Sequence, residues 1–191
     1  MSRVISALSV SVDGYITSRD TGDPAMLFDW YFDGDTPSQV FDGFRLSEPS
    51  ARVFDTLAAR VGASLAGRNT YDDSGWIDGG TPHPAAPLVV LTHRPIPGTR
   101  ERQTVVTTGI EDAVAAARAA AGDKDVALMG GGVTTAALAA GLVDEVVLHQ
   151  VPILLGGGRP YFQALPGPVR LQLLDAVAAP GVTHLHYEVI R

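Results

Sequence analysis

Two kinds of residue in this 191-residue chain have the types and spacing to do chemistry: glycines gathered at single turns, and cations and hydroxyls set at the ends of apolar runs. The densest stretch is Asp125-Val126-Ala127-Leu128-Met129-Gly130-Gly131-Gly132-Val133-Thr134-Thr135-Ala136-Ala137-Leu138. A strand-length apolar run meets three glycines, and helix formers follow at once, which reads as strand, tight turn, helix. Glycines let a ligand approach the main chain closely. The N–H groups that open the helix, with the positive end of its dipole behind them, suit a phosphate or pyrophosphate. Thr134 and Thr135 offer hydroxyls as further donors. The plainer alternative is a turn that only needs room to pack. The dinucleotide fingerprint Gly-x-Gly-x-x-Gly is not matched: Thr135 stands where its third glycine would fall, and the turn comes late in the chain.

Gly67-Arg68-Asn69-Thr70-Tyr71 again sets a glycine before polar donors, and Thr92-His93-Arg94 closes the apolar run 87–91. With Arg159 these place cations at three expected strand ends, although a lone Arg is most often a solvated surface group. No second His or carboxylate motif lies beside His93, so no metal is expected there. The chain has no cysteine, which removes disulfides, thiol catalysis and Cys-based zinc sites. A formal net charge of -7 disfavours nucleic acid and leaves room for an anionic small ligand held by locally gathered cations.

The elements that must position these residues alternate along the chain. Residues 4–11 read as a strand, and Asp13-Gly14 is a turn pair. Residues 18–47 are irregular and rich in Gly, Asp and Pro, yet they carry Phe28, Trp30, Tyr31, Phe32, Phe41 and Phe44. A loop so long and aromatic is expected to serve as a lid or ligand wall, or as a flap covering the core. A helix starts at Ser47-Glu48-Pro49, carries Val53, Phe54, Leu57, Ala58 and Val61 on one stripe, and is expected to stop at Gly62. Strands follow at 63–66, 87–92 and 104–107. Thr108-Gly109-Ile110-Glu111 matches a capping box for a helix over 112–121. A long strand is expected over 143–155, then a second glycine triplet at 156–158, and two closing strands at 169–178 and 182–190 joined around Pro180-Gly181. The result is one α/β domain, with a mostly parallel central sheet and antiparallel C-terminal strands. Hydrophobic residues make up 46% of the chain and charged ones 18%, which fits a well-buried core. Neither a membrane-length apolar run nor a signal-like N-terminus is present, so a soluble, cytoplasmic protein is expected.

Four segments, taken in order, are similar to the dihydrofolate-reductase-like superfamily, and especially to the reductase domain at the C-terminus of the bifunctional deaminase-reductase of riboflavin biosynthesis. They are Ser9 to Ile16, Leu65 to Tyr71, Leu91 to Pro95, and Met129 to Gly132 with the later Pro152 to Pro160. The resemblance implies a three-layer sandwich, NADPH as cofactor and a homodimer. Residue by residue, it implies that Gly67, Arg68, Asn69 and Thr70 lie beside the phosphates. Thr92, His93 and Arg94 would hold the adenosine side, where a cation selects for the 2′-phosphate. Gly130, Gly131, Gly132, Val133 and Thr134 would cradle the pyrophosphate, and Ser9 and Ile16 would flank the nicotinamide.

The implied chemistry is hydride transfer to a C=N or C=O bond of a pyrimidine-like, pterin-like or ribosylamino compound, with a proton supplied nearby. Asp13, Asp29 and Asp73 are the expected catalytic acids, each with an alternative role as a turn or cap residue. Ser11, Trp30 and Tyr71 are expected on the substrate side. A true dihydrofolate reductase and a non-catalytic NADPH-binding protein are the alternatives. The zinc-binding residues of the partner deaminase domain are missing here.

Overall fold

The computed structural model describes residues 2–18, 25–98 and 100–191. Its centre is an eight-stranded sheet built from β1 (Val4–Ser11), β4 (Val61–Gly67), β5 (Leu88–Leu91), β6 (Gln103–Val106), β7 (Asp125–Met129), β8 (Glu145–Val151), β9 (Arg170–Ala179) and β10 (Val182–Ile190). Two short strands, β2 (Thr36–Pro37) and β3 (Arg45–Leu46), pair apart from it. The spatial order is β6-β5-β4-β7-β1-β8-β10-β9. The first six of these run parallel, and β10 and β9 pair antiparallel at one edge.

Helices cover both faces. On one lie α3 (Ile110–Ala121) and α4 (Gly131–Ala139), whose Val114, Ala117 and Ala137 pack on Val4, Leu65, Val89 and Leu128. On the other lie α1 (Glu48–Arg60), with Leu57 against Ile5 and Val147, and α2 (Arg68–Asp73), with Tyr71 against Ala66, Leu88 and Val90. Alternate residues of each central strand thus serve opposite layers, as the two-residue strand period requires.

The structure departs from the sequence expectation at four places. Helix α1 runs directly into β4 at Val61, so Gly62 does not end it. Gly62 lies inside the strand at a register shift, where a Cβ would come within 2.6 Å of the Lys124 side chain, so its smallness serves close packing against the end of α3. The capping box at 108–111 does not form. Gly109 itself takes the cap position, at φ 132°, with no side-chain hydrogen bond. Strand β8 ends at Val151, because Pro152 has no N–H with which to continue the ladder.

The fourth departure is the aromatic segment, which is compact. Two 3-10 turns, Ala25–Leu27 and Asp29–Tyr31, and the β2–β3 hairpin hold the rings together. Trp30 stacks on Tyr31 at 4.1 Å, and both meet Phe54 of α1 edge-on. Behind Trp30 lie two fully buried imidazoles, His149 of β8 and His184 of β10, with their Nδ1 atoms 2.8 Å apart. His184 Nε2 is 2.9 Å from the hydroxyl of Ser50, which accepts in turn from that of Ser47. Burial, with the neighbouring imidazoles, lowers the His149 pKa to about 3, and burial lowers that of His184 to about 4, so both rings are neutral.

At the N-terminal ends of the parallel strands, buried Glu145 binds Arg60 through two nitrogens at 3.0 Å, Arg3 at 2.7 Å and His186 Nε2 at 2.8 Å. Burial pushes its pKa up. The hydrogen bonds from His186, Arg60 and Arg3, with the charge of Arg60, outweigh burial and bring it from 4.5 down to about 2. Because the folded-state value is the lower one, the stabilisation is full above about pH 4.5 and is lost as pH falls towards 2. Glu145→Gln, which leaves Arg60 without its counter-charge, is expected to lower the unfolding free energy at pH 7 by roughly 3 kcal/mol. It should also flatten the loss of stability between pH 5 and pH 2; urea denaturation across that range checks both.

Candidate active site

The parallel strands β5, β4, β7, β1 and β8 all point the same way, so their C-terminal ends open on one edge of the sheet. Crevices outside such strand ends are where open α/β sheets bind ligands. Nearly every expected cofactor residue sits along this edge.

Its centre is the start of α4. Gly130 caps the helix at φ 102°, a conformation that L side chains rarely adopt. A Cβ there would run into the hydroxyl of Thr70, and a Cβ on Gly131 would lie 2.7 Å from the Pro160 carbonyl oxygen. Gly132 is different: it is exposed, and its added Cβ would meet only Gln163 Nε2 at 3.7 Å. The amides of Gly131, Gly132 and Val133 come before the first intrahelical bond, Thr134 N–H to the Gly130 carbonyl, and so stand at the positive helix end. Thr134 turns its hydroxyl inward. Fully buried, it bonds the Gly130 carbonyl at 3.0 Å and the Ser6 hydroxyl at 2.7 Å, and Ser6 reaches the Tyr161 hydroxyl at 2.9 Å. Thr135 likewise accepts from the Gln163 amide. Both hydroxyls are therefore engaged in holding the turn.

The second glycine triplet leads into residues 158–161, which pack against the exit of β1. Ile16 N–H donates to the Arg159 carbonyl at 2.8 Å, Tyr161 N–H to the Gly14 carbonyl at 2.9 Å, and Arg159 N–H to the Thr17 hydroxyl at 3.0 Å. Asp13 ties the same region. Its carboxylate accepts the Ser11 hydroxyl at 2.6 Å and the amides of Leu155 and Gly156 at 3.1 and 2.7 Å. The Ser11 hydrogen bond, with those amides, holds its pKa below the usual 3.8, so Asp13 is a carboxylate at neutral pH.

Three guanidinium groups line the cofactor half of the edge. Arg68 bonds Asp72 at 2.7 Å and the Arg94 carbonyl at 3.2 Å; Arg94 reaches Asn69 at 3.3 Å and Asp72 at 3.4 Å; Arg159 pairs with Asp73 at 2.8 Å. Gly67 closes β4 and opens α2. Thr92 is buried, its hydroxyl fastening the turn that carries His93 and Arg94, both of which are exposed.

On the other half, Ser9 is buried and accepts the Trp30 indole N–H at 3.1 Å. Burial pushes the neighbouring Tyr31 hydroxyl up to about 12, against a hydrogen bond with Ser9, so it stays protonated. Trp30 is 4% exposed and Tyr71 is fully buried, its hydroxyl on Gln103 at 3.0 Å beneath α2. Ser11 is buried against Asp13 and Tyr15. The structure therefore brings Ser9 and Trp30 together, while Tyr71 lies in the core on the cofactor side. Asp29 is exposed at the start of the 3-10 turn that carries Trp30, where its backbone carbonyl accepts the Phe32 N–H at 2.9 Å; of the carboxylates of Asp13, Asp29 and Asp73, that of Asp29 alone has no hydrogen bond or ion pair among the described residues.

Sequence reasoning did not single out Ser6, Tyr161, Thr17 or the His149–His184 pair. The signal for the first three was the second glycine triplet, whose close approach to residues 13–17 required a partner surface. Nothing local marked the histidines, which meet only because β8 and β10 are neighbours.

Solved structures share this architecture. A candidate riboflavin biosynthesis protein from Shewanella sp. PV-4 superposes with a TM-score of 0.74 at 27% identity, covering 100% of both chains. The dihydrofolate reductase of Enterococcus faecalis, solved with NADP(H), superposes with a TM-score of 0.60 at 14% identity over 99% of this chain and 97% of its own. The fold is thus dihydrofolate-reductase-like. The sequence narrows it further: the RibD C-terminal domain pattern matches residues 2–185, and the chain belongs to that family of reductase domains. A bifunctional deaminase and 5-amino-6-(5-phosphoribosylamino)uracil reductase from Thermotoga maritima contains a similar unit, with a TM-score of 0.64 at 13% identity over 99% of this chain and 57% of its own. No curated protein matches the sequence.

The glycine cradle makes a position-by-position prediction. Gly130→Ala and Gly131→Ala are each expected to cost about 1–3 kcal/mol through strain or collision with backbone. Gly132→Ala should fold as well as the parent, within about 0.5 kcal/mol. Thermal unfolding of the three variants distinguishes a built cradle from a loose turn.

Proposed function

We propose that the protein is an NADPH-dependent reductase acting on a pyrimidine-like, pterin-like or related heterocycle. The observation that carries this reading is the shared sheet edge: the helix start at Gly131–Val133 and three guanidinium groups adjoin the β1 exit, beyond which stands an aromatic wall. The donor set fits a dinucleotide. The α4 amides suit its pyrophosphate, Arg68 and Arg94 suit further phosphate oxygens, and the positive φ and crowding at Gly130 keep side chains out of the cradle. When bound, the reduced nicotinamide supplies the hydride.

The chain's own residues do the rest. Arg94, exposed and joined to Asn69 and Asp72, gives the cationic contact that favours a 2′-phosphate. Ser9 and Ile16 fix the β1 exit beside which the nicotinamide is held, Ile16 through its bond to Arg159. Trp30 and Tyr31, locked by Ser9 and Phe54, keep water from the substrate side. Asp13 is committed as a carboxylate to the 155–156 amides, and Asp73 to Arg159, which leaves Asp29 as the acid that relays a proton to the substrate. A true dihydrofolate reductase would need a helix-borne carboxylate beyond Trp30; a 3-10 turn and a two-residue strand stand there instead.

We also propose a homodimer through β9, whose outer edge is unpaired among the described residues and which exposes Leu171, Leu173 and Leu174. Leu173→Lys is expected to sediment as a monomer where the parent sediments as a dimer, and a monomeric parent would remove the proposal.

For the activity, quenching of Trp30 and Trp76 fluorescence should report tight, NADPH-selective binding. Arg94→Ala should weaken it roughly 10-fold or more, the usual worth of a charge-assisted contact. Asp29→Asn should leave NADPH binding unchanged and slow turnover about 100-fold. Failure of both NADPH and NADH to bind would sink the reductase reading, and an unchanged rate in Asp29→Asn would remove that residue as the acid.

A further inference from the structure

Resting on the reductase reading, we infer that Arg159 is the cation that holds the pyrophosphate of the cofactor, and that Asp73 is the residue that positions it. Arg159 leaves one wall of the glycine cradle and ends on the other. The carbonyls of its neighbours Pro160 and Tyr161 face Gly131 so closely that an added Cβ would lie 2.7 and 2.5 Å from them. On the opposite wall the Thr70 hydroxyl fills the space beside Gly130. Asp73 follows Thr70 by three residues on α2, so the two share a helix face. Because β7 lies between β4 and β1, the Arg159–Asp73 pair, at 2.8 Å, joins the two chain segments that flank the β7–α4 turn.

Both ends of this bridge are held before a ligand arrives. The main chain of Arg159 is fixed through its N–H by the Thr17 hydroxyl at 3.0 Å and through its carbonyl by the Ile16 N–H at 2.8 Å. Its guanidinium gives Nη1 to Asp73, which leaves Nε and Nη2 without a partner among the described residues. Those two nitrogens form the fork that grips a phosphate through parallel hydrogen bonds. With its side chain 38% exposed, the group is open to a ligand. Arg68, by contrast, commits Nε to Asp72 and Nη1 to the Arg94 and Pro95 carbonyls, at the end of β5. Thr134 and Thr135 engage their hydroxyls within the turn, so the opening of α4 presents main-chain donors, and a doubly charged diphosphate is held better with a cation beside them. Arg159 is the guanidinium that the fold brings there. An ion pair exposed at both partners contributes little to stability, and its effect here is to restrict the rotamers of a long side chain to the one that crosses the cradle.

Pyrophosphate is common to NADPH and NADH, which separates the role of Arg159 from that of Arg94. In tryptophan-fluorescence titrations with each cofactor, Arg159→Ala should weaken both roughly 10-fold and leave their ratio unchanged, whereas Arg94→Ala lowers the ratio. Arg159→Lys, which keeps the charge and loses the fork, should recover only part of the loss. Asp73→Asn should weaken both cofactors about 2- to 5-fold in the parent and have no effect in an Arg159→Ala background, because it acts only through the guanidinium. A merely structural role would lower the melting temperature and add across the two sites, which thermal unfolding and the double variant detect. Unchanged affinity in Arg159→Ala, or a loss confined to NADPH, would overturn the inference. So would tighter binding in Asp73→Asn, which makes the aspartate a competitor of the cofactor. Failure of the parent to bind either cofactor appears in the parent titration, before any variant, and removes the reductase reading and this inference together.

Discussion

The structure depends on a small buried set of hydroxyls. Ser6, Thr134 and Tyr161 come from β1, α4 and the loop after β8, and they satisfy one another at 2.7 and 2.9 Å where no water is needed. Burying three hydroxyls unpaired would be costly, so each fixes the position of the other two. Burial raises the Tyr161 pKa, countered only in part by Ser6, so its hydroxyl remains a neutral partner. Around this contact Gly131 and Gly158 let backbones approach more closely than a side chain permits, and Gly130 leaves room for the Thr70 hydroxyl. The opening of α4 is thereby held rigidly against the exit of β1, and the sheet edge is organised before any ligand arrives.

That arrangement separates two tasks along one edge. Cations gather at the ends of β4 and β5, where Asp72 and Asp73 hold them aligned. Aromatic rings gather beyond β1 and β8, where α1 and the two imidazoles back them. An acidic chain can still concentrate a polyanion at one place if its few guanidinium groups converge there, and a field of this kind acts on association more than on folding. The opposite ends of the strands carry the Glu145 cluster with Arg3, Arg60 and His186, and a cavity beside it is lined by Ser2, Arg3, Arg118, Asp144 and Arg191.

Much of this was legible in the sequence, for reasons that differ from residue to residue. The β7–α4 turn was readable because apolar run, glycines and helix formers are consecutive, and local periodicity suffices. The antiparallel closing strands were readable from Pro180-Gly181 between two alternating runs. Gly62 was misread because a glycine after a helix signals a stop, whereas here it answers a long-range contact with the end of α3. The capping box failed for a similar reason: Gly109, not Thr108, reaches the cap position once β6 fixes where the chain turns. The inward turn of the Thr134 hydroxyl and the burial of Tyr71 were also hidden, since each depends on partners more than 30 residues away, Ser6 in one case and Gln103 in the other. Asp13 was visible as a turn residue, and its bonds to Leu155 and Gly156 show what that turn is for.

Four side chains, from Ser47 and Ser50 at the cap of α1 to His184 and His149, form one hydrogen-bonded run behind the aromatic wall. The two imidazoles meet Nδ1 to Nδ1, so one proton is shared between those atoms: the ring that donates carries its proton on Nδ1, and the other must carry its own on Nε2. Ser50, with a proton to give and a lone pair to spare beside the bond from Ser47, meets either tautomer of His184. The pair can therefore change tautomer only together, a rearrangement that alters the polarity of the wall and leaves its net charge at zero.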